Sequence, residues 1–510
     1  MSAKLYHQGR KLNIQYHTIW PAGHMVYVAK SQISVRYANQ DNCSPGKFGP
    51  LIEKYMTNFK LSYYNVTTDI INPGDTSEKR IIFSTRTAKA MTLLDSSYQK
   101  IMEGRLKDLT STELFSLTEQ SILVPENEDE FAAIQMENEA FLSDRKVLYH
   151  VLQPGANCQL GCHYCGQQHT KNFLDPSLYE KVINRIEGKI LSGEFEYNTL
   201  AFTWYGGEPL MALRQMRDLT YLLKEVAHRH GMKYYADIIT NGLSLKEKIF
   251  EELVSELGIR SFQITVDGTR EHHDRRRITK SEEPTFDIIM DNIVKCVNSP
   301  LVQQYNVTIG VRINIDKSNH ADVDEFLEYL HSRGILNKVI VQFAEIVDWG
   351  QNGASKESLT IQEFADTEIG WMLKLIELGF NMNSFIPERS NVACMVQEKN
   401  SEVFDAFGNI YPCYELPYTP IYENTEWYVG NIKNDKSTYE VNNSLRNWSE
   451  HIRKGDVSNC NTCKFYPVCG GGCPKSWLEG KPSCPSFKFN MEDRLVLQYL
   501  NKNTSIKELI

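Results

Sequence analysis

The chain has 510 residues, a formal charge of −9, 41% hydrophobic and 23% charged residues, enough for several domains with buried cores. That acidic balance argues against a general nucleic-acid binder, which needs a basic face. No stretch approaches the roughly 18 continuous apolar residues of a membrane span, and the first residues lack the apolar core of a secretory signal. The expectation is a cytoplasmic protein with neither a nucleic-acid nor a membrane partner. Twelve cysteines in a reducing compartment are poor candidates for disulfides and good ones for metal.

Residues 1–140 hold no cysteine cluster. Segments 25–37 and 80–94 read as strands. "SSYQKIMEGR" and "TSTELFSLTEQ" then read as two short helices, with Thr110 and Glu113 giving the second a capping-box start. Segment 126–139 carries six acids and no base, and reads as a solvated connector or an exposed helix.

From Val147 the pattern becomes strand–helix alternation. Strands are expected at 147–152, 199–204, 234–239, 261–266, 306–315 and 338–343, each followed by a helical stretch. Six such units predict a parallel α/β sheet curled into a barrel or part of one, with functional loops after the carboxyl ends of the strands. From about Ser390 turns dominate, and little regular structure is expected where metal replaces hydrophobic burial as the organiser. Residues 491–503 read as a closing helix.

The loop after the first strand is "ANCQLGCHYCGQQ", with Cys158, Cys162 and Cys165 at spacings of three and two. Three thiolates on one loop hold three corners of a 4Fe–4S cube and leave one iron open to a small molecule. Tyr164 is placed to pack beside that molecule. The alternative is a zinc site using His163 or His169.

"WYGGEP" (204–209) ends the next strand, and with it the residues resemble the radical S-adenosylmethionine (SAM) enzymes. The resemblance implies that SAM chelates the fourth iron, with Gly206, Gly207 and Glu208 forming the second motif of the family. "ITNG" (239–242) ends the third strand, and "ITVDGTREHHDRRR" (264–277) resembles the DG…HDxxR segment. By that match Thr265 contacts the ribose and Arg277 the carboxylate of SAM, with Arg312 a weaker candidate for the same pocket. Taken alone, "DRRR" is a solvated basic turn and Thr265 a plain strand residue.

Seven cysteines fall between Cys394 and Cys484. Their spacing, with "VGNIK" and "CGGGCPKS", resembles the SPASM extension, which adds two auxiliary iron–sulfur clusters; a pair of zinc knuckles is the alternative. By analogy Cys460, Cys463, Cys469 and Cys484 hold the distal cluster, and Cys394, Cys413 and Cys473 the proximal one. The latter either keeps an open iron or borrows a non-cysteine ligand, with Glu415 and Tyr414 the nearest candidates and the expected catalytic groups. Cys296 is expected in the core and Cys43 in a loop.

The implied architecture is a partial (β/α)6 TIM-like barrel with an α+β N-terminal domain and an irregular cysteine-rich C-terminal domain. The boundaries are 1–140, a recognition-like domain; 141–345, the barrel; 346–390, a bridge; 391–490, the SPASM region; and 491–510, a closing helix. The resemblance implies SAM and three iron–sulfur clusters, a flavodoxin or ferredoxin reductant, and cleavage of SAM to a 5′-deoxyadenosyl radical. The N-terminal strand pair and helices resemble the leader-recognition module of ribosomal-peptide maturases. The expected function is therefore a maturase that installs a thioether or carbon–carbon crosslink in a ribosomally made precursor peptide. Two alternatives stand beside it: a sulfatase-maturating enzyme forming formylglycine, and a non-catalytic electron carrier. The formylglycine group carries an Asp just after the cysteine equivalent to Cys413, where this chain has Tyr414.

Overall fold

Six parallel strands form the scaffold of the site: β1 (Val147–Leu152), β2 (Thr199–Trp204), β3 (Lys233–Thr240), β4 (Ile259–Thr265), β5 (Thr308–Ile315) and β6 (Ile340–Glu345). They lie side by side in chain order, and every pair is parallel. In this computed structural model the described residues are 59–71, 77–380, 384–423, 425–434 and 443–503, with short strands at Leu5–His7, Arg10–Leu12, Gln15–Thr18 and Tyr27–Lys30. All six strands fall where the sequence places them, within two residues at each end. Strand alternation explains the layers. Leu148, Leu152, Phe202, Trp204, Ile238, Phe262, Ile264, Val311 and Ile313 join one large core with the covering helices. The intervening residues, including Tyr149, Thr203, Tyr205, Asp237, Gln263, Thr265 and Arg312, line the concave face. That face is polar, unlike the branched apolar filling of a closed barrel.

The cysteine-rich region was expected to lack regular structure, and here the structure differs. The strands β7 (Glu402–Phe404), β8 (Asn409–Tyr411) and β9 (Gly430–Asn431) extend the same sheet, β7 pairing parallel with β1. The reason is the edge: an uncovered β1 would expose a row of unpaired backbone groups. A buried ion group fixes the join. Glu402 receives Arg185 Nη2 at 2.7 Å and Lys189 Nζ at 2.5 Å, and its amide donates to His150 Nδ1 at 3.2 Å. Burial opposes ionisation of Glu402, but Lys189 and Arg185 overcome it and hold the carboxyl well below its usual range.

The chain divides into two compact units that do not follow chain order. The sheet just described, residues 143–382 and 394–451, is one; residues 1–142, 383–393 and 452–510 form the other. In the second unit Asn65–Thr67, Lys79–Ser84 and Lys89–Leu94 make an antiparallel sheet. Segment 80–94 is thus a hairpin and not one strand, its turn closed at Ala88 with φ 53°. Within segment 25–37, Tyr27–Lys30 pairs with Gln15–Thr18; the remainder, like Cys43, lies outside the described residues. The helices Asp95–Met102 and Ser111–Glu119 follow as expected, the second with the Thr110–Glu113 capping box.

The acidic segment is helical over Glu130–Ser143, and one of its faces is buried. Glu130 accepts from Ser62 Oγ and from the Tyr63 amide, while Gln135 and Asn138 donate to the Tyr466 hydroxyl at 3.2 and 3.0 Å. Val66, Ile81 and Phe83 share a core with Phe465, Val468, Met491 and Leu495, the last two from the closing helix Met491–Asn503. Cys296 is buried in the core of the sheet unit. Among the described residues no helix is long and apolar enough to cross a membrane.

On the concave face Asp237 is 1% exposed, and among the described residues neither carboxylate oxygen has a hydrogen-bond partner. Burial pushes its carboxyl up to about 8, only partly offset by the nearby Thr203 hydroxyl. The folded protein therefore keeps a proton that the unfolded chain releases above pH ~4, so stability falls as pH rises from there towards 8. Asp237→Asn removes this slope. In urea unfolding of the holoprotein, the variant gains on the wild type as pH is raised from 5 to 8.

Candidate active site

The loop carrying Cys158, Cys162 and Cys165 follows β1, and the Gly206–Gly207–Glu208 turn follows β2. The two are packed against each other with no space for a side chain. A Cβ at Gly207 would sit 2.4 Å from the Asn157 carbonyl oxygen, and one at Gly206 2.8 Å from that of Gly155. Gly206 also has φ +125°, which only glycine adopts without strain. The Glu208 amide donates to Asn157 O at 2.8 Å. Its carboxylate accepts from Leu210 N, Thr240 Oγ1 and Asn241 N at 3.0, 2.7 and 2.8 Å. Glu208 thereby ties the cysteine loop, its own turn and the "ITNG" turn into one body. Its side chain is committed to protein donors, so the turn offers a ligand its backbone.

Asn241 completes the contact, its amide donating to Cys158 Sγ at 3.8 Å. The thiols sit close enough to raise one another's pKa values. Burial is the larger cause, and it pushes Cys158 up to about 12 and Cys162 to about 11. Arg277 offsets this only in part at Cys162, so the free thiols stay protonated; a bound metal would supply the charge that ionises them. Among the described residues no three His, Cys, Asp or Glu side chains converge as they would around a single metal ion. His169 Nε2 lies 4.0 Å from Cys165 Sγ, its imidazole kept neutral by burial and Lys280, while His163 is exposed.

A second group of side chains is built around Tyr164. Its hydroxyl accepts from Arg277 Nη1 at 2.5 Å and from Asn314 Nδ2 at 3.1 Å, and Arg276 lies over its ring at 5.3 Å. The "DRRR" segment is therefore not a solvated turn: Arg276 is 3% and Arg277 6% exposed. Arg276 faces Asp267 and Asp316 at 3.4 and 3.3 Å. Among the described residues Arg277 Nε and Arg312 Nη1 are buried without hydrogen-bond partners, two cationic donors suited to a carboxylate. Thr265 is buried at the end of β4, directly beside Arg312 in register. Tyr164, Arg277, Thr265 and Arg312 are thus brought to one end of the sheet with the cysteine loop.

The loop 413–419 belongs to the same unit and docks on that end. Gln153 Nε2 donates to Tyr414 O at 2.7 Å, Tyr418 Oη donates to Gln153 O at 2.7 Å, and Trp349 Nε1 donates to Glu415 O at 3.0 Å. Tyr205 and Tyr414 pack edge to face, with centroids 5.5 Å apart at 86°. Cys394 and Cys413 belong to this unit; Cys460, Cys463, Cys469, Cys473 and Cys484 to the other. There the thiols of Cys460, Cys463 and Cys484 each raise the pKa of Cys469, so the four lie within electrostatic reach of Cys469 without closing on a single point. Asn314 and Trp349 carried no motif in the sequence, and only the fold brings them to the site.

Residues 152–330 match the sequence model of the Radical SAM superfamily. The chain is a radical SAM enzyme, which binds SAM and a [4Fe–4S] cluster. It is 24% identical over 403 residues to a cysteine-type anaerobic sulfatase-maturating enzyme of Clostridium novyi (strain NT), a match covering 71% of this chain and 100% of that protein. It is 23% identical over 377 residues to a serine-type anaerobic sulfatase-maturating enzyme of Bacteroides thetaiotaomicron, covering 65% of this chain and 83% of that one. Among solved structures, native anSMEcpe with bound AdoMet and Cp18Cys peptide has the same fold, with a TM-score of 0.50 at 18% identity, covering 72% of this chain and 100% of that one.

The packing of Gly207 on Asn157 generates a direct test. Gly207→Ala must push the cysteine loop away from the turn. The variant is expected to fold, since the sheet core is untouched, but to lose most SAM affinity and part of its iron. Calorimetric SAM titration and iron assay after anaerobic reconstitution check this.

Proposed function

We propose that this enzyme is a peptide maturase, which generates a 5′-deoxyadenosyl radical from SAM and uses it to crosslink a ribosomally made precursor peptide. One observation carries the reading. The chain covers a sulfatase-maturating relative over its whole length and extends beyond it. It also possesses an N-terminal sheet whose last strand, Lys89–Leu94, is an edge among the described residues. An edge strand accepts an extended peptide by strand addition, and the helices that follow it place Phe115, 62% exposed, on the surface.

Cys158, Cys162 and Cys165 are proposed to hold the cluster that cleaves SAM, with Tyr164, Thr265, Arg277 and the Gly206–Glu208 turn positioning it. The cofactor supplies reductive cleavage and hydrogen abstraction; the chain orients it and keeps water out. Arg277 and Arg312 suit the methionyl carboxylate, and the buried floor around Thr265 the ribose. Cys460, Cys463, Cys469 and Cys484 are proposed to close a distal auxiliary cluster. Cys394 and Cys413 are proposed as proximal ligands, with Glu415 or Tyr414 as a candidate non-cysteine ligand. The part of Cys473 rests on the sequence resemblance alone. A flavodoxin- or ferredoxin-type protein is the proposed reductant.

Formylglycine formation is the second reading, favoured by the named relatives. Tyr414 after Cys413, where that group carries Asp, counts against it. The two separate on the product: formylglycine, whether made from cysteine or serine, carries an aldehyde that a hydrazide reagent captures with a mass increase, whereas a thioether or carbon–carbon crosslink carries none. Mass spectrometry of a co-expressed precursor decides between them.

Two outcomes test the proposal. The reconstituted protein carries three clusters, about 12 iron atoms if each is a cube. Changing Cys158, Cys162 and Cys165 together to Ala removes one cluster and all 5′-deoxyadenosine formation; stoichiometric zinc in place of iron after anaerobic purification overturns the reading. Removing the leader from a precursor leaves its core unmodified, while 5′-deoxyadenosine is still formed without any peptide. Equal modification of full-length and leaderless peptide, measured by mass spectrometry, shows that the N-terminal sheet does not select substrate.

A further inference from the structure

The nine-stranded sheet has two ends, and the chain treats them differently. On the β1 side the strands β7 to β9 extend it, whereas β6 pairs with β5 and ends the sheet among the described residues. Two contacts fix which backbone groups of β6 face outward. Ile346 N donates to Ile315 O at 2.9 Å, and Ile340 O lies 3.7 Å from the point a Cβ on Gly310 would occupy, so the even-numbered residues bond to β5. These directions alternate along a strand, so Val341, Phe343 and Glu345 turn their N–H and C=O groups to the open edge. Such an edge is normally blunted by lysine, proline or a bulge. Segment 340–347, "IVQFAEIV", has neither lysine nor proline, and its pairing with β5 is unbroken. Ile340 and Val347 stand at its two ends, 39% and 54% exposed.

The side chains add a second observation. Val341 and Phe343 pack on the helix side, Phe343 against Trp371 with ring centroids 5.1 Å apart. Gln342 stands on the concave face, in register with Arg312. It reaches over Gly310, its Nε2 3.6 Å from where a Cβ there would lie. Gln342 and Gln263 are each 7% exposed, and among the described residues neither Oε1 has a hydrogen-bond partner. Acceptors buried in this way require donors. We propose that the substrate peptide adds to β6 as a further strand, its backbone bonded to Val341, Phe343 and Glu345 and its alternate side chains carried over the concave face, where donor-bearing ones reach Gln342. This deepens the maturase reading and rests on it. Strand addition draws affinity from the main chain and selectivity from every second side chain. The edge therefore selects an extended segment with hydroxyl or amide side chains at alternate positions. The same face carries Thr265 and Arg312, proposed above to hold SAM, so a peptide along this edge turns its residues towards the place where SAM is cleaved.

The probe is a synthetic peptide of Val-Ser repeats between terminal lysines, with one isomer N-methylated on every serine and another on every valine. Hydrogen exchange of the holoenzyme with SAM bound is read residue by residue at saturating peptide. The unmethylated peptide slows exchange at Val341, Phe343 and Glu345 but not at Gln342 and Ala344, whose amides already bond to β5. An added strand bonds to β6 through every second residue only, so one N-methylated isomer keeps this protection and the other loses it. Gln342→Leu weakens binding of the serine peptide about three- to tenfold and leaves a Val-Ala peptide unchanged. No protection by the unmethylated peptide, or equal behaviour of the two isomers, overturns the proposal. So does protection of these amides before peptide is added, together with a concentration-dependent dimer, which assigns the edge to a second copy of the chain. Alternating protection in an enzyme that leaves a co-expressed precursor unmodified keeps the strand site and overturns the maturase reading instead.

Discussion

The site depends on one buried carboxylate. Glu208 accepts from the backbone of Leu210 and Asn241 and from the Thr240 hydroxyl, while its own amide reaches Asn157 in the cysteine loop. Burial raises its pKa, but three donors aimed at it favour the charged form, and a charge held by backbone amides is a stiff joint. The loops after β1, β2 and β3 are thereby locked to one another before any ligand arrives. A cluster held on that single loop, as proposed, would need such stiffness to keep its ligands in a fixed arrangement. The glycines serve the same joint from the other side. Gly206 and Gly207 let backbone meet backbone, which no side chain would allow.

The polar concave face is the second consequence of a barrel left open. A closed barrel fills its interior with branched apolar side chains. Here Tyr149, Thr203, Asp237, Gln263 and Arg312 line it, and the oxygens of Asp237 and Nη1 of Arg312, unpaired among the described residues, are the cost. The helix-facing side carries the stability, with Trp204, Phe250, Phe262, Phe286 and Phe326 fully buried. The division is economical in chemical terms. Burial on one side of each strand offsets polar groups on the other, and those groups face the space where a charged cofactor must lie.

Joining the C-terminal segment to the sheet solves an edge problem and a placement problem together. Pairing β7 with β1 covers the edge, and Glu402 between Arg185 and Lys189 makes the join specific, since either cation alone in the core would be costly. The same chain then turns back through Cys413 to the loop that meets Gln153, Tyr205 and Trp349. In the other unit Cys463 packs against the core that Phe465 and Val468 share with the N-terminal hairpin.

Much of this was legible in the sequence. The strands, the cysteine loop, the glycine turn and the capping box at Thr110 are local patterns, fixed by a period of two, by ligand spacing, or by a side chain that reaches three residues along the chain. The acidic helix was not legible, because whether Glu130, Gln135 and Asn138 face water depends on Ser62, Tyr63 and Tyr466, which are remote in the chain. Nor were β7 to β9 legible, since short strands acquire their identity from the partner they cover. The sequence by itself determined which residues can ligate iron and which chemistry follows. Only the tertiary structure decided what surrounds them: that Tyr164 is gripped by Arg277 and Asn314, that Tyr205 meets Tyr414, and that the first 142 residues fold with the last cysteines. Ligand chemistry is a property of residue type and spacing, whereas neighbourhood is set by burial between segments that the chain itself keeps hundreds of residues apart.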